Sequence, residues 1–113
     1  MHELSIVMSI IDIANQQAQQ ANARIIEEIE LDIGCLSTIE PEAFDFAWQQ
    51  AVKGTSLEKA TRTINRIEGR GQCMHCEAEF PVQQLYDPCP HCGRHLVNLT
   101  QGRELKVKSL VVS

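Results

Sequence analysis

Cys73-Met74-His75-Cys76, followed after twelve residues by Cys89-Pro90-His91-Cys92, is the stretch from which the rest of the chain is read. Each Cys-x-x-Cys pair makes a tight knuckle whose two sulfurs point at one spot. Two such knuckles close a tetrahedron of thiolates around one Zn²⁺. A redox reading of either pair would need a surrounding βαβ pattern, and none is present. A closed four-thiolate site leaves no open position for substrate, so the zinc it implies is structural.

The flanking chain accounts for the remaining residues as one small α+β fold. Leu4, Val7, Met8, Ile11, Ala14 and Ala18 follow helical spacing, which predicts an amphipathic helix over Leu4–Gln20 with a stop at Asn22. Ile29-Glu30-Leu31-Asp32-Ile33 alternates strictly and predicts a half-buried strand ended by Gly34, with its acidic face outward. Cys35, the odd cysteine, is expected as a small buried apolar residue. Pro41 suits the first position of a second helix, whose stripe is Phe44, Ala47, Trp48, Ala51 and Val52, with Gly54 as its C-terminal cap. Leu57–Gly69 reads as a weaker strand. Glu104–Val112 reads as a last one, with Leu105, Val107 and Val111 on one face and Lys106 and Lys108 on the other. Two helices on one face of a small three-stranded sheet would bury these stripes. The cysteine stretch is then a zinc-ribbon-like module inserted between strands 2 and 3. The expected division is residues 1–71 with strand 98–113 as one domain and 72–97 as the module, carried on linkers near Gly71 and Asn98.

Charge and composition narrow the function. The 113 residues carry a formal net charge of −5. The cysteine module holds Glu77, Glu79 and Asp87 against Arg94, so it lacks the basic face of a nucleic-acid-binding zinc ribbon. Five cysteines without a signal sequence point to a reducing compartment, the cytoplasm. No nucleophile–base pair and no phosphate loop is present, which argues against an enzyme. A zinc-stabilised interaction adaptor stays open as an alternative. His75, His91 and His95 lie in or beside the knuckles, where imidazole is an acceptable zinc ligand if one exchanged with a thiolate. At the other end, Met1-His2-Glu3 places an amine, peptide nitrogens and an imidazole within a few atoms of each other, a donor set that suits nickel(II) or copper(II).

The opening Met1-His2-Glu3-Leu4-Ser5-Ile6, the segment Ile33-Gly34-Cys35-Leu36-Ser37-Thr38-Ile39-Glu40-Pro41-Glu42-Ala43, the Gly54-Thr55 step, the paired knuckles and the closing Val107-Lys108-Ser109-Leu110 together resemble the HypA/HybF family. These are nickel-insertion accessory proteins for [NiFe]-hydrogenase maturation. The resemblance spans the whole chain in order. It implies a nickel metallochaperone rather than an enzyme, with Ni²⁺ as cargo held by Met1, His2 and Glu3. An acidic residue ahead of the second helix contributes in the family, and Glu40 holds that place. It also implies structural zinc on Cys73, Cys76, Cys89 and Cys92. The partners it implies are the HypB GTPase and the hydrogenase large subunit, with urease as a further recipient in some bacteria. An exposed last strand would also allow a homodimer.

Overall fold

The structure is a computed structural model and describes residues 3–113. The elements run α1 (Glu3–Gln20), β1 (Ile26–Gly34), α2 (Pro41–Ala51), β2 (Thr61–Ile67), β3 (Arg70–Cys73), β4 (Glu79–Pro81), β5 (Val97–Gln101) and β6 (Leu105–Val112). They form an α+β fold with two three-stranded sheets, ordered β2-β1-β6 and β4-β3-β5. The chain resolves into two compact units. One is Met1–Leu31, Ile39–Asn65 and Lys106–Ser113; the other is Asp32–Thr38 and Arg66–Leu105.

The first unit is built on α1. Val7, Ile10, Ile11, Ala14 and Ala18 are its buried stripe, one turn following the next. The helix stops where the sequence says it should. Asn22 adopts a left-handed conformation (φ 54°), the Ala23 N–H reaches the Ala18 carbonyl, and the Asn22 N–H reaches that of Gln19. This is the pattern of a Schellman cap, with asparagine in the place glycine usually takes. Helix α2 starts at Pro41 and buries Phe44, Ala47 and Trp48. The two aromatic rings lie 6.0 Å apart, and the Arg62 guanidinium sits 5.2 Å over Trp48 while its charge meets Asp45 at 2.8 Å. Ile26, Ile29 and Leu31 supply the central strand's share of the core, and Leu57 is fully buried in the turn before β2. Each such side chain contributes on the order of 1.5–3 kcal/mol. The chain end is pinned too: the N–H groups of Arg24 and Ile25 donate to the Ser113 carbonyl, and the Ser113 N–H donates to Ile25.

The second unit has far less apolar material. Its core is Leu36, Phe80, Val82 and the sulfurs of Cys73 and Cys89. Strand β3 pairs antiparallel with β4 (Gly71 opposite Phe80) and with β5 (Gly71 opposite Leu99, Gln72 opposite Asn98). Gly34, Gly69 and Gly102 converge beneath Leu36. A Cβ on Gly34 would stand 1.9 Å from the Gly102 carbonyl oxygen, and one on Gly102 would stand 2.6 Å from the Gly69 Cα.

Four expectations are corrected. Cys35 is exposed, and its neighbour Leu36 takes the buried place. Asp32 is buried, so the acidic face of β1 is not wholly outward. The linkers near Gly71 and Asn98 are strands paired to each other. On β6 the half-buried residues are Val107, Leu110 and Val112, while Leu105 and Val111 are exposed, which breaks the simple alternation.

Candidate metal centre

Two local turns of the same design bring the four sulfurs together. In the first, the Glu77 N–H donates to the Cys73 carbonyl at 3.0 Å, and the Cys73 N–H to that of Ala78 at 2.9 Å. In the second, the Gly93 N–H donates to the Cys89 carbonyl at 2.7 Å, and the Cys89 N–H to that of Arg94 at 2.8 Å. The residue just past each Cys-x-x-Cys turns the chain with a positive φ, 66° at Glu77 and 75° at Gly93. Glycine does this without cost, whereas a residue with a Cβ is strained there. Cys-x-x-Cys-Gly is therefore a readable knuckle signal at Gly93, and Glu77 fills the same role without it.

All four sulfurs lie within 4.8 Å of one another. Cys73 Sγ is 3.6 Å from Cys92 Sγ, and Cys76 Sγ is 3.6 Å from Cys89 Sγ. A tetrahedral ion with metal–sulfur bonds near 2.3 Å would set neighbouring sulfurs about 3.8 Å apart, so the cluster has the right size for one. The first cysteine of each knuckle is buried and the second is exposed. The backbone N–H groups of Cys76 and His75 both point at Cys73 Sγ from 3.4 Å. These two donors, with smaller help from neighbouring thiols, hold the Cys73 thiol down to about 6. Cys76 is pushed the other way: the Ala78 N–H lowers it, but burial and the adjoining sulfurs outweigh that and raise it to about 11. Cys73 thus ionises more readily than Cys76, and a cation among the sulfurs would favour further ionisation by offsetting the accumulating charge.

His75, His91 and His95 are exposed, and the described cluster contains cysteine only. The other candidate ligands divide. Met1 and His2 lie outside the described residues. Glu3 is buried at the start of α1, Glu40 is exposed as the N-cap of α2, and a Glu3 carboxylate oxygen accepts the Glu40 backbone N–H at 3.2 Å. Residues 37 positions apart therefore meet within the first unit. The residue missed by sequence reading is Glu3 in this capping role. No motif signals it, because the acceptor it replaces belongs three residues into the helix, where Ala43 has none to offer.

A family profile described as "Hydrogenase/urease nickel incorporation, metallochaperone, hypA" matches residues 1–112. A hydrogenase maturation factor HypA from Parabacteroides distasonis is 49% identical over 112 residues, covering 99% of this chain and 97% of that protein. One from Geobacter sulfurreducens is 41% identical over 112 residues, with 99% of each covered. Among solved structures, that of the Ni metallochaperone HypA from Helicobacter pylori superposes with a TM-score of 0.70 at 28% identity, covering 99% of this chain and 97% of that one.

Proposed function

Because the chain belongs to the HypA family, nickel-incorporating metallochaperones of hydrogenase maturation rather than enzymes, we propose that it binds Ni²⁺ at its N-terminus and delivers it to the [NiFe]-hydrogenase large subunit. Met1, His2 and Glu3 supply the first donors, and Glu40 closes the site. The observation that carries this reading is the Glu3–Glu40 hydrogen bond, which joins the start of α1 to the start of α2, the two segments assigned to one ligand set.

The chemistry is transfer. An amine, peptide nitrogens and an imidazole select nickel by donor type and by planar geometry. An acceptor can replace such donors one at a time, so the ion never passes through a free state. Acid protonates the amine and the imidazole and weakens the grip.

Cys73, Cys76, Cys89 and Cys92 would hold Zn²⁺, which supplies cross-linking to a module poor in apolar side chains. We read residues 72–97 as that module and 1–71 with 98–113 as the nickel-binding domain. HypB is the proposed GTPase partner, with urease maturation factors and a homodimer as further associations. The cytoplasm is the proposed compartment; among the described residues no helix is long and apolar enough to cross a membrane.

The test is Ni²⁺ titration of untagged, zinc-loaded protein beside His2→Ala. Stoichiometric nickel in the parent, its loss in the variant and an unchanged zinc content are the expected results. Nickel bound equally well by His2→Ala would sink the N-terminal site.

A further inference from the structure

We propose that Thr38 is a positioning residue for the nickel site: its left-handed backbone turns the chain so that Glu40 meets Glu3. That role rests on the N-terminal nickel reading and adds to it a residue that supplies no donor atom of its own. Thr38 stands at φ 65°, with Asn22, Glu77 and Tyr86 the other described non-glycine residues at positive φ, and it is the β-branched one among them. A branched Cβ fits poorly in the left-handed region and is stiff about its first torsion. Asn22 ends α1, Glu77 closes a cysteine knuckle, and Tyr86 lies in the turn that Asp87 closes. Thr38 instead precedes Glu40 by two residues. Strain of this kind persists where the surroundings hold it, and it gathers at ligand sites.

The chain is fixed on both sides of Thr38. Upstream, the Ser37 N–H and hydroxyl both donate to the Gly34 carbonyl, at 3.1 and 2.7 Å. Leu36 is buried, and its N–H donates to the Gly102 carbonyl at 2.7 Å. Downstream, Pro41 restricts the residue before it to extended backbone, and Glu40 has φ −79° and ψ 116°. The Glu40 N–H is held by Glu3 at 3.2 Å, and its carbonyl accepts the Phe44 N–H at 2.9 Å. Thr38 and Ile39 are the joint between these two anchored stretches. The Thr38 hydroxyl donates to the Ser37 carbonyl at 2.5 Å, which holds the joint in its strained setting.

The setting of that joint decides where Glu40 lies. Glu40 is exposed and its side chain makes no capping bond, so its carboxylate is aimed by the backbone. Two residues reach about 7 Å at most. Returning Thr38 to the ordinary range near −65° would turn the chain by about 130° at that lever arm, a displacement of several ångströms. A ligand must be held to within roughly 0.5 Å. Glycine would make the same turn without strain. Threonine adds a stiff side chain bonded to the preceding carbonyl, which leaves the joint one conformation where glycine has many.

The test titrates Ni²⁺ into untagged, zinc-loaded full chain: the parent, His2→Ala, Glu40→Ala, Thr38→Gly, Thr38→Asn, and Thr38→Gly combined with Glu40→Ala. Thr38→Gly should weaken nickel binding about tenfold, the lower end of what lost support of a ligand costs. Its zinc content and thermal midpoint should stay close to the parent's, and in the nickel-free protein its Glu40 amide should exchange faster. Asparagine tolerates the left-handed region and bonds locally, so Thr38→Asn should keep nickel affinity within about twofold of the parent. On the Glu40→Ala background, Thr38→Gly should change nickel binding no further, because Thr38 acts through Glu40. Parental affinity in Thr38→Gly, or an equal loss with and without Glu40, would overturn the role of Thr38 while His2→Ala still showed the N-terminal site. Parental affinity in His2→Ala would overturn the N-terminal reading, and the role of Thr38 with it.

Discussion

The Glu3 carboxylate caps a helix it does not belong to: its Oε2 accepts the N–H of Glu40, the N-cap of α2, at 3.2 Å. In a capping box the same bond comes from a glutamate three residues into the helix; here that position is Ala43, and the oxygen arrives from α1. Glu3→Ala should therefore lower the thermal midpoint by a few degrees with zinc retained. Glu3→Gln, which keeps an oxygen acceptor, should lie between the two. Thermal scans of the three zinc-loaded proteins check this, and equal midpoints would remove the strut.

The glycines separate by what surrounds them. Gly34→Ala drives a methyl into the Gly102 carbonyl, and overpacking of that kind costs about 1–3 kcal/mol or more. Gly54 has φ +75° but open space around it, so Gly54→Ala should cost only about 1 kcal/mol of backbone strain. Glu77→Gly should go the other way and stabilise by up to about 1 kcal/mol, because φ 66° is free to glycine. Urea unfolding of the three variants tests the ranking.

Removing the metal should unfold the second unit selectively. Around its cysteines only Leu36, Phe80 and Val82 are buried full-sized apolar side chains, with Ala78, Leu85, Val97 and Leu99 half-buried against them, too few to offset chain entropy without a cross-link. Trp48, the only tryptophan, belongs to the first unit and is 7% exposed. A strong chelator should abolish amide protection in β3 and β5 while Trp48 emission stays unshifted. A red shift of Trp48 parallel to metal loss would mean the two cores fail together.

Glu30 sits in the central strand and is held below its ordinary value of 4.5, first by the Asn65 amide at 2.7 Å and then by the Ser109 hydroxyl at 2.9 Å, with Lys108 adding a weaker pull. A depressed carboxyl stabilises the fold above its unfolded value, and that contribution is lost as pH falls through the folded value. Ser109→Ala should move the Glu30 titration upward toward 4.5, read by carbon NMR of the carboxyl, and should make acid unfolding begin at higher pH. An unmoved titration would show that Ser109 does not act on Glu30.

Much of the architecture was legible because local patterns and tertiary demands agree. The α1 stripe, Pro41 at the head of α2 and the paired cysteines each carry their meaning in spacing alone. Two of the misreadings share a cause: a small residue can serve a turn or a close approach, and sequence does not say which. Gly71 looked like a linker, yet it is a strand residue whose missing Cβ makes room for Val97 Cγ1, which a Cβ would approach to 2.6 Å. Cys35 and Leu36 are adjacent and both apolar, and only the glycine crossing at Gly69 and Gly102 decides that leucine is the one enclosed. The candidate site was legible in part: the meeting of the four cysteines follows from their spacing, whereas the approach of Glu3 to Glu40 depends on how α1 and α2 pack.

The order in which the strands lie along the chain sets an order of assembly. The four cysteines and the β4-β3-β5 sheet are complete by Gln101, and their pairings are short in sequence. The sheet centred on β1 lacks one edge until β6 is made, and its closing bonds run from Ser113 back to Arg24 and Ile25. The cysteine module can therefore form from contacts short in sequence, whereas the sheet centred on β1 must first bring Arg24 and Ser113 together. A chain whose four cysteines are left without an ion would then lose the half of the fold whose contacts are nearest in sequence, and with it the early step of assembly.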